Sequence, residues 1–210
     1  MIVIAPCFYP STDHISYFQR SAEKYAMPII QYGLGEPFKD WIDTHITACL
    51  SVLKDIRQAR SHVLFTDAAD VIFLKGVSEI WRRYLRLGHP PLLMSVEHTH
   101  LLNAGGWLAE TDVAIAALSY LATDERSGDP QVRWRNAIAE GHIRATLDWG
   151  RNIFRVAGAD DPASLAAADT CVLHFAGGYP KRGKRDQIES VWRLLGYPGV
   201  IQQSAQMIGE

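Results

Sequence analysis

Two acids interrupt an otherwise hydrophobic stretch of this 210-residue chain, His62 to Leu74, HVLFTDAADVIFL. Val63, Leu64 and Phe65 read as a buried strand, and Val71, Ile72 and Phe73 resume that character after the break. Asp67 and Asp70, three residues apart, can both turn from a strand end toward one point. Two unpaired carboxylates held together away from water are costly and repel each other. A divalent cation removes both costs. Hard oxygen ligands suit Mg²⁺ or Mn²⁺, which complete their shells with water and phosphate oxygens. The same two residues also suit a polar turn or a helix N-cap. Their spacing leaves both readings open.

Two more segments offer chemistry. Leu102-Asn103-Ala104-Gly105-Gly106-Trp107 carries a glycine pair that lets a ligand approach the main chain, beside an amide suited to a sugar hydroxyl. An ordinary Gly-Gly turn between strands is the simpler explanation of the pair by itself, and neither a GxGxxG nor a GxxxxGK[ST] spacing is present. Val172-Leu173-His174-Phe175 reads as a short strand delivering an imidazole, followed by Gly177, Gly178 and the basic run Lys181, Arg182, Lys184 and Arg185. Imidazole can complete a metal site begun by two carboxylates, and the basic run can neutralise a diphosphate or simply form a solvated patch. Asp129 and Asp148 suit a hydroxylated substrate, or a helix cap and a turn.

The elements that must position these residues alternate. Strands are expected near residues 2–5, 27–32, 63–65, 91–96, 153–157 and 171–175. Helices are expected over 14–25, 42–60, 77–87, 111–122 (capped by Thr111), 131–140 and 187–195. Such alternation predicts an α/β fold with a mostly parallel central sheet flanked by helices, a Rossmann-like nucleotide-binding half, in one domain over 1–210. Ligands then bind outside the carboxyl ends of strands, where Asp67 and Asp70 sit.

Composition narrows the classes. A formal net charge of −2 gives no basic excess for nucleic-acid binding. Cys7, Cys49 and Cys171 form no CxxC pair and read as reduced, buried thiols, which favours a cytoplasmic setting. The start MIVIAPCFYP lacks the basic segment of a signal peptide, and no stretch approaches the roughly 20 apolar residues of a membrane span.

In collinear order, Phe65-Thr66-Asp67-Ala68-Ala69-Asp70-Val71, Leu102-Asn103-Ala104-Gly105-Gly106, Asp129-Pro130-Gln131, Thr146-Leu147-Asp148 with Ile153-Phe154, and Leu173-His174 occupy residues 65–174. This series resembles the glycosyltransferase domain of procollagen lysyl hydroxylases and the related procollagen galactosyltransferases, which are GT-A-fold enzymes. The HFAGGYPK end is similar to that of glycogenin-like transferases, with Lys181 displaced by one position.

The resemblance implies Mn²⁺ (or Mg²⁺) held by Asp67, Asp70 and His174 on the diphosphate of a UDP-sugar, and transfer of a hexose to a glycan or other hydroxyl acceptor. It implies donor contacts at Ala5, Pro6, Thr66, Asp67, Ala68, Asn103, Ala104, Gly105, Gly106, Gly177 and Lys181, with Asp129 and Gln131 on the catalytic side. Two departures stand out. Proline replaces the second acid of the family's DDQ triplet, and Asp43-Thr44-His45 stands near the place of a glycine-and-lysine helix start. Nucleotidyl transfer also uses a strand-end acid pair, but Ala5 to Pro10 offers no glycine-rich basic loop for it. A non-catalytic nucleotide-sugar-binding module is the other alternative, kept open by Pro130.

Overall fold

Ile2–Pro6 (β1) is hydrophobic at every position because both faces of the strand are covered. The structure is a computed structural model that describes residues 1–97, 101–177 and 182–198. After β1 come α1 (Ser16–Lys24), β2 (Ile29–Tyr32), α2 (Ala48–Ile56), β3 (His62–Thr66), β4 (Val71–Phe73), α3 (Val77–Arg86), β5 (Leu92–Val96) and β6 (Leu102–Glu110). The chain continues through α4 (Thr111–Thr123), α5 (Pro130–Ala139), β7 (Thr146–Leu147), β8 (Phe154–Val156), α6 (Pro162–Ala166), β9 (Val172–His174) and α7 (Arg182–Leu194).

A six-stranded sheet runs β2-β1-β3-β6-β5-β7, with β6 alone antiparallel to its neighbours. Side chains alternate between its two faces. Ile2, Ile4, Val63 and Phe65 meet Leu53, Leu118, Leu121 and Trp134 from α2, α4 and α5. Val3, Ala5 and Leu64 point the other way, onto Phe18 of α1, Ile80 and Tyr84 of α3, and a second sheet. That sheet runs β4-β9-β8. Its far face buries Ile72 and Leu173 against Leu165 of α6 and Ile188, Val191 and Trp192 of α7.

The expected mostly parallel α/β architecture is therefore present. Several local expectations are corrected. Val71–Phe73 does not continue β3 but begins the second sheet, so Asp67–Asp70 is the crossing between two sheets. The Gly105-Gly106 pair lies within β6 rather than in a turn. The helix expected over 42–60 contains a π-helical turn at Asp43–Thr47 before α2, and Tyr32 Oη donates to Thr44 O (3.2 Å) there. Thr111 is not the cap of α4. Glu110 holds the extended cap position, and the Thr111 hydroxyl donates to Arg60 O at 2.7 Å.

Cys7, Cys49 and Cys171 are free and fully buried, as expected. Burial pushes each thiol from its ordinary 9.0 up to about 12. Below pH 9 the thiols are neutral in both folded and unfolded chains, so they contribute no pH dependence. Above it the unfolded chain releases protons that the folded one keeps. Stability is then lost by up to about 1.4 kcal/mol per thiol for each pH unit, until the folded value is reached. The urea midpoint in reducing buffer is expected to fall between pH 8 and pH 10; a constant midpoint contradicts this.

Candidate functional site

The end of β3 places Asp67 against β6, where Thr66 pairs with Gly106 and Asp67 N donates to Gly105 O at 3.0 Å. Asp70 is fixed from the second sheet: Phe175 N donates to its carbonyl at 2.8 Å, and the next residue, Val71, pairs with His174. Asp67, Asp70 and His174 thereby offer ligand atoms that all lie within 4.8 Å of one another.

A break in register builds the floor beneath them. Met94 of β5 pairs with Trp107, but Ser95 pairs with Asn103, so Ala104, Gly105 and Gly106 bulge out of the β5 ladder. A Cβ on Gly105 would stand 2.2 Å from Asp67 Oδ2 and 2.5 Å from His174 Cε1. Only glycine lets the two side chains approach this strand.

Asn103 organises the cluster from below. It is 4% exposed, and its Oδ1 accepts from Gly105 N (3.0 Å) while its Nδ2 donates to Glu97 Oε1 (2.9 Å). Those partners fix the amide's orientation, so Oδ1 also faces His174 Nδ1, at 3.1 Å, as an acceptor. His174 therefore donates from Nδ1, and Nε2 is the nitrogen turned to the carboxylates. Nε2 lies 3.2 Å from Asp67 Oδ2 and 3.4 Å from Asp70 Oδ1, yet it is buried without a hydrogen bond of acceptable geometry. Burial alone would lower the imidazole pKa, but the Asp70 and Asp67 charges outweigh it and push it up to about 10. Burial likewise raises the Asp67 pKa, and the contacts to His174 and His45 more than reverse this, holding the group well below the usual carboxylate range. The cluster attracts positive charge. A proton on Nε2 or a divalent cation between the three groups satisfies it, and the O,O,N donor set fits Mn²⁺ or Mg²⁺.

His45 is a site residue that motif reading did not select. Its Nε2 lies 2.9 Å from Asp67 Oδ1, and it sits in the π-helical turn, a distortion frequent at functional sites. The one available signal was Asp43-Thr44-His45 standing where the family carries its glycine and lysine.

A cleft of about 430 Å³ opens beside the cluster, reached by Asp67 and His174 but not by Asp70. It is lined by Trp41 and His45, Asp67, Glu97, Asn103 to Gly105, Gly128 to Gln131, His174, Ala176 and Gly177. Asp129 and Gln131 thus reach the same cleft as Asp67. Asp129 is also the N-cap of α5, accepting Gln131 N on Oδ1 at 2.8 Å, and Pro130 fits the first helical position behind it. At the rim, Trp41 is 58% exposed and packs edge-to-face with Phe38, offering an apolar face to a ring. Ala5, Pro6, Thr66, Ala68 and Gly106 do not line the cleft. Ala5 and Thr66 are fully buried, with the Thr66 hydroxyl donating to Asp67 O. Asp148, 2% exposed, accepts from Asn152, Ile153 and Phe154 amides and organises a turn. Lys181 lies outside the described residues. Lys184 Nζ donates to Ala157 O and Gly158 O, at 2.7 and 3.0 Å.

No protein-family model matches the chain, and no curated protein sequence does. Among solved structures, one similar chain is a glycosyltransferase involved in the glycosylation of the major capsid of PBCV-1. The likeness has a TM-score of 0.64 and 12% sequence identity, covering 91% of this chain and 98% of that one. The chain therefore has a glycosyltransferase-like α/β fold. Among the described residues, no helix is long and apolar enough to cross a membrane.

Proposed function

We propose that the chain is a glycosyltransferase domain, transferring a hexose from a UDP-sugar to a hydroxyl acceptor with Mn²⁺ or Mg²⁺ at Asp67, Asp70 and His174. The observation that carries this reading is His174 Nε2, a buried nitrogen without a hydrogen bond, aimed between two carboxylates on a floor where only glycine fits. The collinear motifs of the lysyl hydroxylase and galactosyltransferase domains and the glycosyltransferase-like fold support it.

The bound cation would offset the charge that develops on a departing diphosphate. The chain's residues divide the remaining work. Asn103 fixes the His174 tautomer, and His45 holds Asp67 ionised and oriented. Trp41 presents a ring face at the cleft mouth. Asp129 and Gln131 stand on the acceptor side, with Asp129 also committed to capping α5.

A panel of UDP-sugars incubated with Mn²⁺, with and without EDTA, tests the reading through UDP release. EDTA-sensitive release from one donor is expected. UDP binding without turnover would instead indicate a binding module, and consumption of a free nucleoside triphosphate would indicate nucleotidyl transfer.

A further inference from the structure

The opposite end of β3 carries a second cluster. His62 opens the strand, Glu110 closes β6 directly across the ladder from it, and His89 approaches from the loop between α3 and β5. Each offers a ligand atom within 4.8 Å of the others. The two imidazoles face one another through Nε2, at 2.9 Å. Along β3, His62 lies roughly 17 Å from Asp67, so this cluster is no part of the cleft.

Its surroundings orient it. His62 Nδ1 lies 3.0 Å from Ser61 Oγ, leaving Nε2 as the nitrogen turned inward. Trp81 packs edge-on to His62 (4.8 Å) and Tyr84 edge-on to His89 (4.9 Å), while both histidines stay half-buried. The Tyr84 hydroxyl donates to Pro90 O and braces the loop. His89 is held at φ 52°, a left-handed conformation costly for a side-chain-bearing residue. A single N–H···N hydrogen bond between two imidazoles does not need that constraint.

We propose that His62, His89 and Glu110 form a second metal site, for a borderline transition metal such as Zn²⁺. Two imidazoles and one carboxylate are a common zinc donor set, with water in the fourth position. Two Zn–N bonds at a tetrahedral angle need the nitrogens roughly 3.3 Å apart, so the pair has to open only slightly. The donors differ in kind from the oxygen-rich cluster at the other end of β3, so the two sites select different ions. The metal would tie the start of β3, the end of β6 and the α3–β5 loop together.

The test uses tag-free protein carrying Asp70→Ala, which takes one ligand group from the first cluster, so that zinc lost with His62 or His89 reports the second. Calorimetric titration with ZnCl₂ is expected to show one equivalent bound per chain, with a melting temperature raised by on the order of 5 °C at saturation. Loss of an outer-shell partner already weakens metal sites by about 10- to 100-fold, so His62→Gln and His89→Gln are each expected to lose at least that much affinity. Glu110→Gln provides a third variant should either histidine change disturb folding. In the otherwise unmutated chain, Cu²⁺ at the site should quench Trp81 fluorescence, and Trp81→Phe should remove that component. Absence of zinc binding in the Asp70→Ala protein overturns the proposal, as does zinc affinity unchanged in folded histidine variants.

Discussion

Replacing Asp70 with alanine is expected to abolish Mn²⁺-dependent UDP binding, weakening it by more than about 100-fold, while leaving the fold intact. The two effects separate because Asp70 holds the structure through its backbone and serves the cluster through its side chain. Its carbonyl accepts from Phe175 N and survives the substitution. Its carboxylate, 15% exposed, stands with Asp67 around one imidazole, and its charge is the first of those that favour protonated His174. Thermal stability of the metal-free variant should thus fall modestly below that of the parent near pH 7, where the protonated His174 loses a partner. At the proposed site, loss of this carboxylate would leave one hard oxygen ligand and one imidazole, a weaker hold on a cation beside a diphosphate. Calorimetric titration of UDP with and without MnCl₂ reads the effect directly. Unchanged UDP affinity in Mn²⁺ would remove Asp70 from the site.

Gly105→Ala is expected to damage the same function from the opposite side, with a cost in stability of about 1–3 kcal/mol for an overpacked position. The new methyl carbon would stand 2.2 Å from Asp67 Oδ2 and 2.5 Å from His174 Cε1, so the two proposed ligands must move. Neither can move freely. Asp67 is held by His45 and His174 by Asn103. Mn²⁺-dependent UDP binding should fall by at least about 100-fold. Gly106→Ala is the matched control, since its Cβ would meet Phe154 and Ser95 at 3.1 Å and no cluster atom. It should lower the unfolding midpoint while sparing metal-dependent binding. Equal loss of binding in both variants would mean that general destabilisation, not displacement of ligands, explains Gly105.

Much of this arrangement was legible in the chain. Residues 2–5 and 63–65 read as buried strands because both faces are covered, leaving uninterrupted apolar runs. Asp67 and Asp70 announced themselves as charges that a hydrophobic segment does not tolerate without a purpose. The imidazole at the end of 172–174 was visible for the same reason. Other features were hidden. The Gly105-Gly106 pair reads as a turn because local pattern cannot reveal that β5 slips register past it. His45 reads as one polar position in a long helix. Its meaning comes from a contact across 22 positions, made through a π-helical turn that no periodicity signals.

By itself, then, the sequence determined the alternation of elements and the residues that must find partners, since hydrophobic period and unpaired charge are local properties. Only the tertiary structure decided that Asp67–Asp70 crosses between two sheets, that Asn103 sets the tautomer of His174 71 positions away, and that Gly105 is the floor beneath them. It also decided that His62, His89 and Glu110, unremarkable along the chain, converge at the far end of β3. The physical reason is strand pairing. Register across β3, β6 and β9 places atoms within ångströms of one another, and that register is a global solution to packing both faces of the sheet.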